Sequence, residues 1–154
     1  MSADRTNVHG TAIVIGDTGL LFVGPSGSGK SELAFSFLTE AERCGLQAAL
    51  VADDQVFVSS QNGAVFAERP ETITGLMELR GSGIVSVNSV QSAVLHYAIT
   101  PMPHPQSPRL PPEEEWLELP FGTRLPLIRI PLASITPYGK FAALAQNLFK
   151  AKGM

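Results

Sequence analysis

Eight residues, Gly24-Pro25-Ser26-Gly27-Ser28-Gly29-Lys30-Ser31, fill every fixed position of the phosphate loop G-x-x-x-x-G-K-[ST]. The glycines let the backbone turn tightly and approach an anion, and loop and helix-start N–H groups then face phosphate oxygens. Lys30 supplies positive charge to the phosphates, and the Ser31 hydroxyl suits Mg²⁺. These eight residues are therefore read as a phosphate-binding loop. A second chemical feature is Asp53-Asp54, which closes the apolar run Ala48 to Ala52. Acidic residues ending a strand downstream of a phosphate loop are where a metal-binding carboxylate is expected. Two neighbouring carboxylates can divide the work, one serving the metal and the other a substrate proton. Successive strand residues point to opposite faces, so both reach one site only if the backbone turns there. A solvated turn pair is the alternative. A third feature, Leu76-Met77-Glu78-Leu79-Arg80-Gly81-Ser82-Gly83-Ile84, sets a carboxylate and a guanidinium beside Gly-x-Gly, where glycines would let backbone come close to a phosphate.

Positioning these groups falls to the flanking elements. Thr11 to Ile15 and Leu20 to Val23 read as a hairpin about the turn Gly16 to Gly19, leading straight into the phosphate loop. Glu32 to Arg43 reads as a helix with Leu33, Phe37 and Leu38 on one buried face and Gly45 as its C-terminal cap. Ala48 to Ala52 is the next strand. Val56 to Val58 and Val65 to Ala67 form a second hairpin about Gln61-Asn62-Gly63. Pro70 to Leu79 is expected to contain a short helix, broken by Gly81-Ser82-Gly83, and Ile84 to Val87 and Val94 to Ile99 are strands. Ten of the twelve prolines lie at or beyond Pro101, which predicts loop or sheet edge over about 101–126. Glu113-Glu114-Glu115 reads as a solvated face rather than a metal cluster. Leu127 to Ile130 is a last strand, and Phe141 to Lys152 closes the chain as a helix.

Composition narrows the function classes. With 154 residues, 44% hydrophobic and 16% charged, the chain is expected to form one globular domain with a substantial core. A net charge of −3 argues against nucleic acid as a main partner, because binding a phosphate backbone needs clustered cations. No apolar run reaches membrane-spanning length, and the polar start is unlike a signal peptide. The lone Cys44 cannot form an internal disulfide, consistent with a cytoplasmic setting.

Together the phosphate loop, Ala52-Asp53-Asp54 and Leu76 through Val87 resemble the HPr kinase/phosphorylase family, whose signature reads roughly Leu-Leu-Glu-Ile-Arg-Gly-x-Gly-Ile. His9-Gly10, fifteen residues before Gly24, stands where that family has a His-Gly pair. The resemblance extends from His9 to about Val87 and is patchy beyond. It implies an α/β fold, a phosphate-loop kinase core of the HPr kinase and phosphoenolpyruvate carboxykinase type with a mixed sheet and flanking helices. It implies ATP and Mg²⁺, with Lys30 on the phosphates, Ser31 and Glu78 as metal ligands, and Asp54 as the acid/base toward a serine hydroxyl. His9 matches a catalytic-site histidine, while Asp53, Arg80, Gly81 and Gly83 support the site. The implied partner is the phosphocarrier HPr or its nitrogen-system homologue, phosphorylated on serine and dephosphorylated by inorganic phosphate to give pyrophosphate. The family's hexamers imply a homo-oligomer.

Several positions depart from the family pattern. His9 lies almost at the start, so the family's separate N-terminal domain is expected to be absent, as in short proteobacterial forms. Arg109 is the choice for the family's site arginine, with Arg124 second. Gly139-Lys140 replaces a Gly-Arg pair in the segment Ile135 to Lys140 tied to the reverse reaction, which implies a weaker phosphorylase. Two other readings stay open, a small-molecule phosphate-loop kinase and a non-catalytic nucleotide-responsive regulator.

Overall fold

The computed structural model describes residues 5–70, 75–102 and 114–151. In chain order the elements are β1 (Arg5–His9), β2 (Thr11–Ile15), β3 (Thr18–Phe22), α1 (Lys30–Arg43), β4 (Ala48–Ala52), β5 (Gln55–Gln61), β6 (Ala64–Glu68), β7 (Leu76–Leu79), β8 (Gly83–Ser86), β9 (Ser92–Met102), β10 (Trp116–Leu119), β11 (Thr123–Pro131) and α2 (Pro137–Ala151). Nine strands form one mixed sheet in the order β1-β5-β6-β9-β3-β2-β4, with β11 also on β9 and β10 on β11, while β7 and β8 make a separate hairpin. Two pairings are parallel, β3 with β9 and β9 with β11.

Turn chemistry sets the register locally. Asn62 and Gly63 both take positive φ, 53° and 82°, as the two-residue loop between Gln61 and Ala64 requires. The chain runs from β1 into β2 through Gly10 alone and from β4 into β5 through Asp53-Asp54, yet β1–β5 and β2–β4 lie at opposite ends of the pairing order. The sheet must therefore curl, and its corner is tied by the Gly10 N–H donating to the Asp54 carbonyl at 3.0 Å. That corner is where the acidic pair sits.

Strand alternation feeds two cores. Ile13, Leu20 and Phe22 face the helices and pack with Leu33, Phe37 and Phe141, while Ala12, Leu21, Val51, Val56 and Val58 fill the inside of the curl. Phe37 is fully buried, edge-on to Phe22 at 5.1 Å between ring centroids. The α1 face foreseen from Leu33, Phe37 and Leu38 is the buried one, and Gly45 (φ 84°) follows the helix end, with Leu46 N–H donating back to the Ala41 carbonyl.

Several expectations are corrected. Of Pro70 to Leu79, expected to contain a short helix, residues 71–74 lie outside the described residues and Leu76–Leu79 is strand β7: Met77 is buried against the α1 core while Leu76 and Glu78 are exposed, a period of two. Pro101 lies inside β9, which runs on past Ile99 to Met102, with β11 on one side and, among the described residues, no strand on the other. It is tolerated because residues 99 and 101 point the same way, toward β3, and β3 ends opposite Ile99; the missing amide faces no strand there. Arg5–His9 and Trp116–Leu119 are strands that the polar start and the proline-rich stretch concealed. The last helix begins at Pro137, where its missing N–H is harmless. Of Glu113-Glu114-Glu115, Glu113 lies outside the described residues and Glu114 is exposed as expected, but the Glu115 carboxylate accepts two hydrogen bonds from Arg129, at 2.7 and 2.8 Å.

Candidate active site

The phosphate loop leaves β3 where Val23 N–H donates to the Ile99 carbonyl and enters α1 at Lys30. Gly27 and Gly29 hold positive φ, 81° and 97°. A Cβ on Gly27 would lie 3.1 Å from the Arg80 guanidinium, and one on Gly29 would lie 2.8 Å from Leu132 Cδ1. The loop therefore runs between Arg80 on one side and Leu132 on the other, and at both points the positive φ favours glycine. Gly29 gives α1 no side-chain cap, so the first amides of the helix keep their donors for an anion. The Lys30 side chain folds back, and its ammonium donates to the carbonyls of Gly24 at 2.8 Å and Pro25 at 3.2 Å. It is buried, with no carboxylate at ion-pair distance among the described residues.

The two aspartates part company at the corner. Asp53 Oδ1 accepts from the Ser31 hydroxyl at 2.6 Å and from Thr11 Oγ1 at 2.9 Å. Asp54 takes φ 74°, a left-handed conformation rare outside glycine, and this supplies the turn that brings both carboxylates to one cleft. Its carboxylate is 66% exposed and lies 3.5 Å from His9 Nδ1. His9 Nε2 in turn meets Ser26 Oγ of the phosphate loop at 3.2 Å.

The β7–β8 hairpin closes the other wall. Glu78, Arg80 and Ser82 line, together with Lys30, Ser31, Asp53 and Asp54, a cleft of about 660 Å³. Gly81 and Gly83 shape the hairpin turn with positive φ, 82° and 147°, and a Cβ at either would meet no protein atom. Arg80, treated from sequence only as support, is the guanidinium that reaches the loop.

The other cations lie elsewhere. Arg124 stacks over the Trp116 ring at 3.9 Å in the β10–β11 hairpin and does not line the cleft. Arg109 lies outside the described residues. Lys140 sits in the first turn of α2, its ammonium 3.1 Å from Ser134 Oγ, and it does not line the cleft. The start of α2 is instead capped by Glu40, whose carboxylate accepts from the amides of Tyr138 at 3.0 Å and Gly139 at 2.8 Å. Glu40 is ten residues along α1 from Lys30, or roughly 15 Å from the phosphate end of that helix.

Thr11 and Leu132 belong to the site and were not foreseen, whereas Glu32 and Ser82, which also line the cleft, lie within or beside the stretches that carry the resemblance. Thr11 is fully buried, and only its polarity at the head of an apolar strand hinted at a role. Leu132 reaches the loop because Leu132 N–H donates to the Met102 carbonyl, a long-range contact with no sequence signal.

Two observations test whether the chain suits a nucleotide with its metal. Ser28 Oγ is buried without a partner among the described residues, an orphan polar atom within the loop. Ser31 and Asp53 pair a hydroxyl with a carboxylate, the donor types that suit Mg²⁺ when substrate phosphates and water complete its shell. Among the described residues no group of three His, Cys, Asp or Glu side chains is placed to hold a metal ion by itself. The set fits a metal carried in on phosphates.

Comparison with known proteins agrees. Residues 1–95 match the family model described as HPr Serine kinase C-terminal domain. An HPr kinase/phosphorylase of Brevibacillus brevis is 33% identical over 163 aligned positions, covering 99% of this chain and 50% of that protein. One from Streptococcus thermophilus is 40% identical over 92 positions, 59% of this chain and 28% of the relative. The chain thus spans about half the length, or less, of these curated relatives. The solved Hpr(Ser) kinase/phosphatase of Coxiella burnetii superposes with a TM-score of 0.74 at 23% identity, covering 97% of this chain and 99% of that one, which supports the fold. With the family model covering more than half of it, the chain belongs to the HPr serine kinase C-terminal domain family.

Proposed function

We propose that this chain uses Mg-ATP to phosphorylate a serine on the phosphocarrier protein HPr or its nitrogen-system homologue. The observation that carries this reading is the separation of the two aspartates: Asp53 is bonded to Ser31 at the loop, while Asp54 is exposed and held near His9. A kinase for a hydroxyl on another protein needs both a quiet carboxylate at the metal and an accessible one for the proton. Family membership and the relatives' names support the choice of substrate.

Each residue then has a physical task. The loop amides and the start of α1 would bind the phosphates, with Lys30 and Arg80 adding charge. Lys30 must exchange its two carbonyl partners for phosphate oxygens, which strengthens those bonds because both partners are then charged. Ser31 and Asp53 would hold Mg²⁺, with Glu78 as a further carboxylate on the hairpin wall; the metal would offset negative charge on the phosphates. Asp54 accepts the serine proton as the serine oxygen bonds to the γ-phosphorus and ADP leaves. In the opposite direction inorganic phosphate takes the phosphoryl group from phosphoserine and gives pyrophosphate, with Asp54 returning the proton. Self-association follows the family resemblance. No helix among the described residues is long and apolar enough to cross a membrane.

The test is mass spectrometry of the purified phosphocarriers after incubation with the protein and Mg-ATP. A gain of one phosphate on a serine, dependent on Mg²⁺ and lost in Asp54→Asn, is expected. Phosphorylation of a metabolite panel with none on either phosphocarrier would overturn the choice of substrate.

A further inference from the structure

We infer that Ser26 is a positioning residue that, from within the phosphate loop, holds the His9 ring with Nδ1 toward Asp54, so that the neutral imidazole carries its proton on Nδ1. The purpose of that lock rests on the kinase reading above; the lock itself does not.

The geometry fixes the backbone and leaves the side chains in need of restraint. His9 ends β1 opposite Gln55, and the following residue, Gly10, is bonded to the Asp54 carbonyl. Yet the His9 and Asp54 side chains are 46% and 66% exposed. Solvent competes for groups so open, so their relative placement depends on the few contacts they make.

A neutral imidazole has one donor nitrogen and one acceptor nitrogen. A carboxylate can only accept. With Nδ1 facing Asp54 Oδ1, the proton belongs on Nδ1, because the other tautomer would oppose two lone pairs. That leaves Nε2 an acceptor, and Ser26 Oγ at 3.2 Å is the donor that satisfies it. A serine hydroxyl could orient either way, so Asp54 decides the tautomer and Ser26 holds the ring against flipping about χ2. Without Ser26 the ring can rotate, and Nδ1 no longer steadies the Asp54 carboxylate in the cleft. The loop that would hold phosphates is thereby linked through one histidine to the group that would take the proton.

The protein contains its own control. His96 Nδ1 accepts the Gly19 backbone N–H at 3.0 Å. An amide N–H can only donate, so neutral His96 must carry its proton on Nε2. His9 and His96 are expected to be opposite tautomers in one molecule.

The experiment is long-range nitrogen–proton correlation on histidine-labelled protein, at a pH well above the ordinary imidazole range, with His9→Gln and His104→Gln to assign the signals of the three histidines. Wild type is expected to show His9 protonated on Nδ1 and His96 on Nε2. Ser26→Ala should convert the His9 pattern to an averaged one and leave His96 untouched, which also reports an intact fold. Ser26→Thr should restore the single tautomer. In the kinase assay Ser26→Ala should lower kcat by about tenfold while the KM for ATP moves less than about twofold. His9 protonated on Nε2 in wild type, or a His9 pattern indifferent to Ser26→Ala, would overturn the inference. Because tautomers are read without substrate, that failure is distinct from absence of phosphoryl transfer.

Discussion

In residues 114–151 every cation whose side chain is described is engaged by another side chain. Arg129 gives two hydrogen bonds to Glu115, Arg124 stacks on Trp116, and Lys140 meets Ser134. The bond to Glu115 is also the main reason the Arg129 pKa is raised above its ordinary value. Around the phosphate loop the pattern reverses. Lys30 is buried yet bonded only to loop carbonyls, and Arg80 lies exposed over Gly27 with no carboxylate at ion-pair distance among the described residues. A buried cation without a counterion is costly and persists where dipoles compensate it or where an anion is to arrive. The comparison separates charges engaged by other side chains from charges that lack a carboxylate partner among the described residues, a distinction that counting charges along the chain cannot make.

The strongest way to break this comparison is at Lys30. Lys30→Ala removes the buried cation of the loop and should cut phosphoryl transfer by about 10²-fold or more, the scale for losing one pre-organised group. The fold should be spared, because the lost bonds go to carbonyls that water can satisfy once the loop opens. Near-normal turnover would mean that this charge is not needed for transfer, and a lowered melting temperature alone would mean that it is structural.

Glu78→Gln tests the hairpin wall. A neutral amide is a poorer ligand for a hard cation, so the Mg²⁺ concentration giving half-maximal activity should rise by about tenfold. An unchanged titration would leave Glu78 as a wall residue only.

In the other region the effect should appear in stability. Glu115→Ala unties Arg129 from a bidentate pair whose side chains are 31% and 18% exposed. Partial exposure places the cost between surface and buried pairs, about 1–2 kcal/mol, or a Tm lowered by roughly 2–8 °C, with kcat unchanged. The smallest effect belongs to Lys140. The family resemblance links its segment to the reverse reaction, whereas its place on α2 beside Ser134 lies outside the cleft. Lys140→Arg should change both directions by less than about twofold on the scale where a transition-state contact costs tenfold or more. A marked recovery of pyrophosphate formation would restore the segment to the site.

Much of the site was legible because its chemistry is local. The phosphate loop, Asp53-Asp54 and Glu78 to Gly83 are contiguous stretches whose residue types carry their own meaning, and the loop, both aspartates, Glu78 and Arg80 line one cleft. What stayed hidden depends on contacts distant in sequence. Thr11 reaches Asp53 across 42 residues, and Leu132 meets Gly29 only because β11 pairs with β9. Strand β7 was read as helix because its four residues are too few to display a period against the helical tendency of Leu, Met and Glu. Pro101 misled for a related reason. Proline excludes a strand only where its amide would be needed, and that depends on where the neighbouring strand ends. The turn at Asp54 rests on one left-handed residue, a conformation that Asp tolerates better than most side chains but rarely adopts, so residue type is only a weak sign of it.

The central claim is that neighbouring aspartates serve different partners, Asp53 the metal side and Asp54 the proton. The most direct test is Mg²⁺-dependent ATP binding by calorimetry, set beside single-turnover transfer to the phosphocarrier, for Asp53→Asn and Asp54→Asn. Asp54→Asn should bind Mg-ATP within about twofold of wild type and transfer about 10²-fold or more slowly, as for loss of a general base. Asp53→Asn should lose Mg²⁺-dependent affinity, because the carboxylate on Ser31 has become a neutral amide. The reverse outcome, Asp53→Asn binding normally but failing to transfer while Asp54→Asn loses the metal dependence, would contradict the assignment.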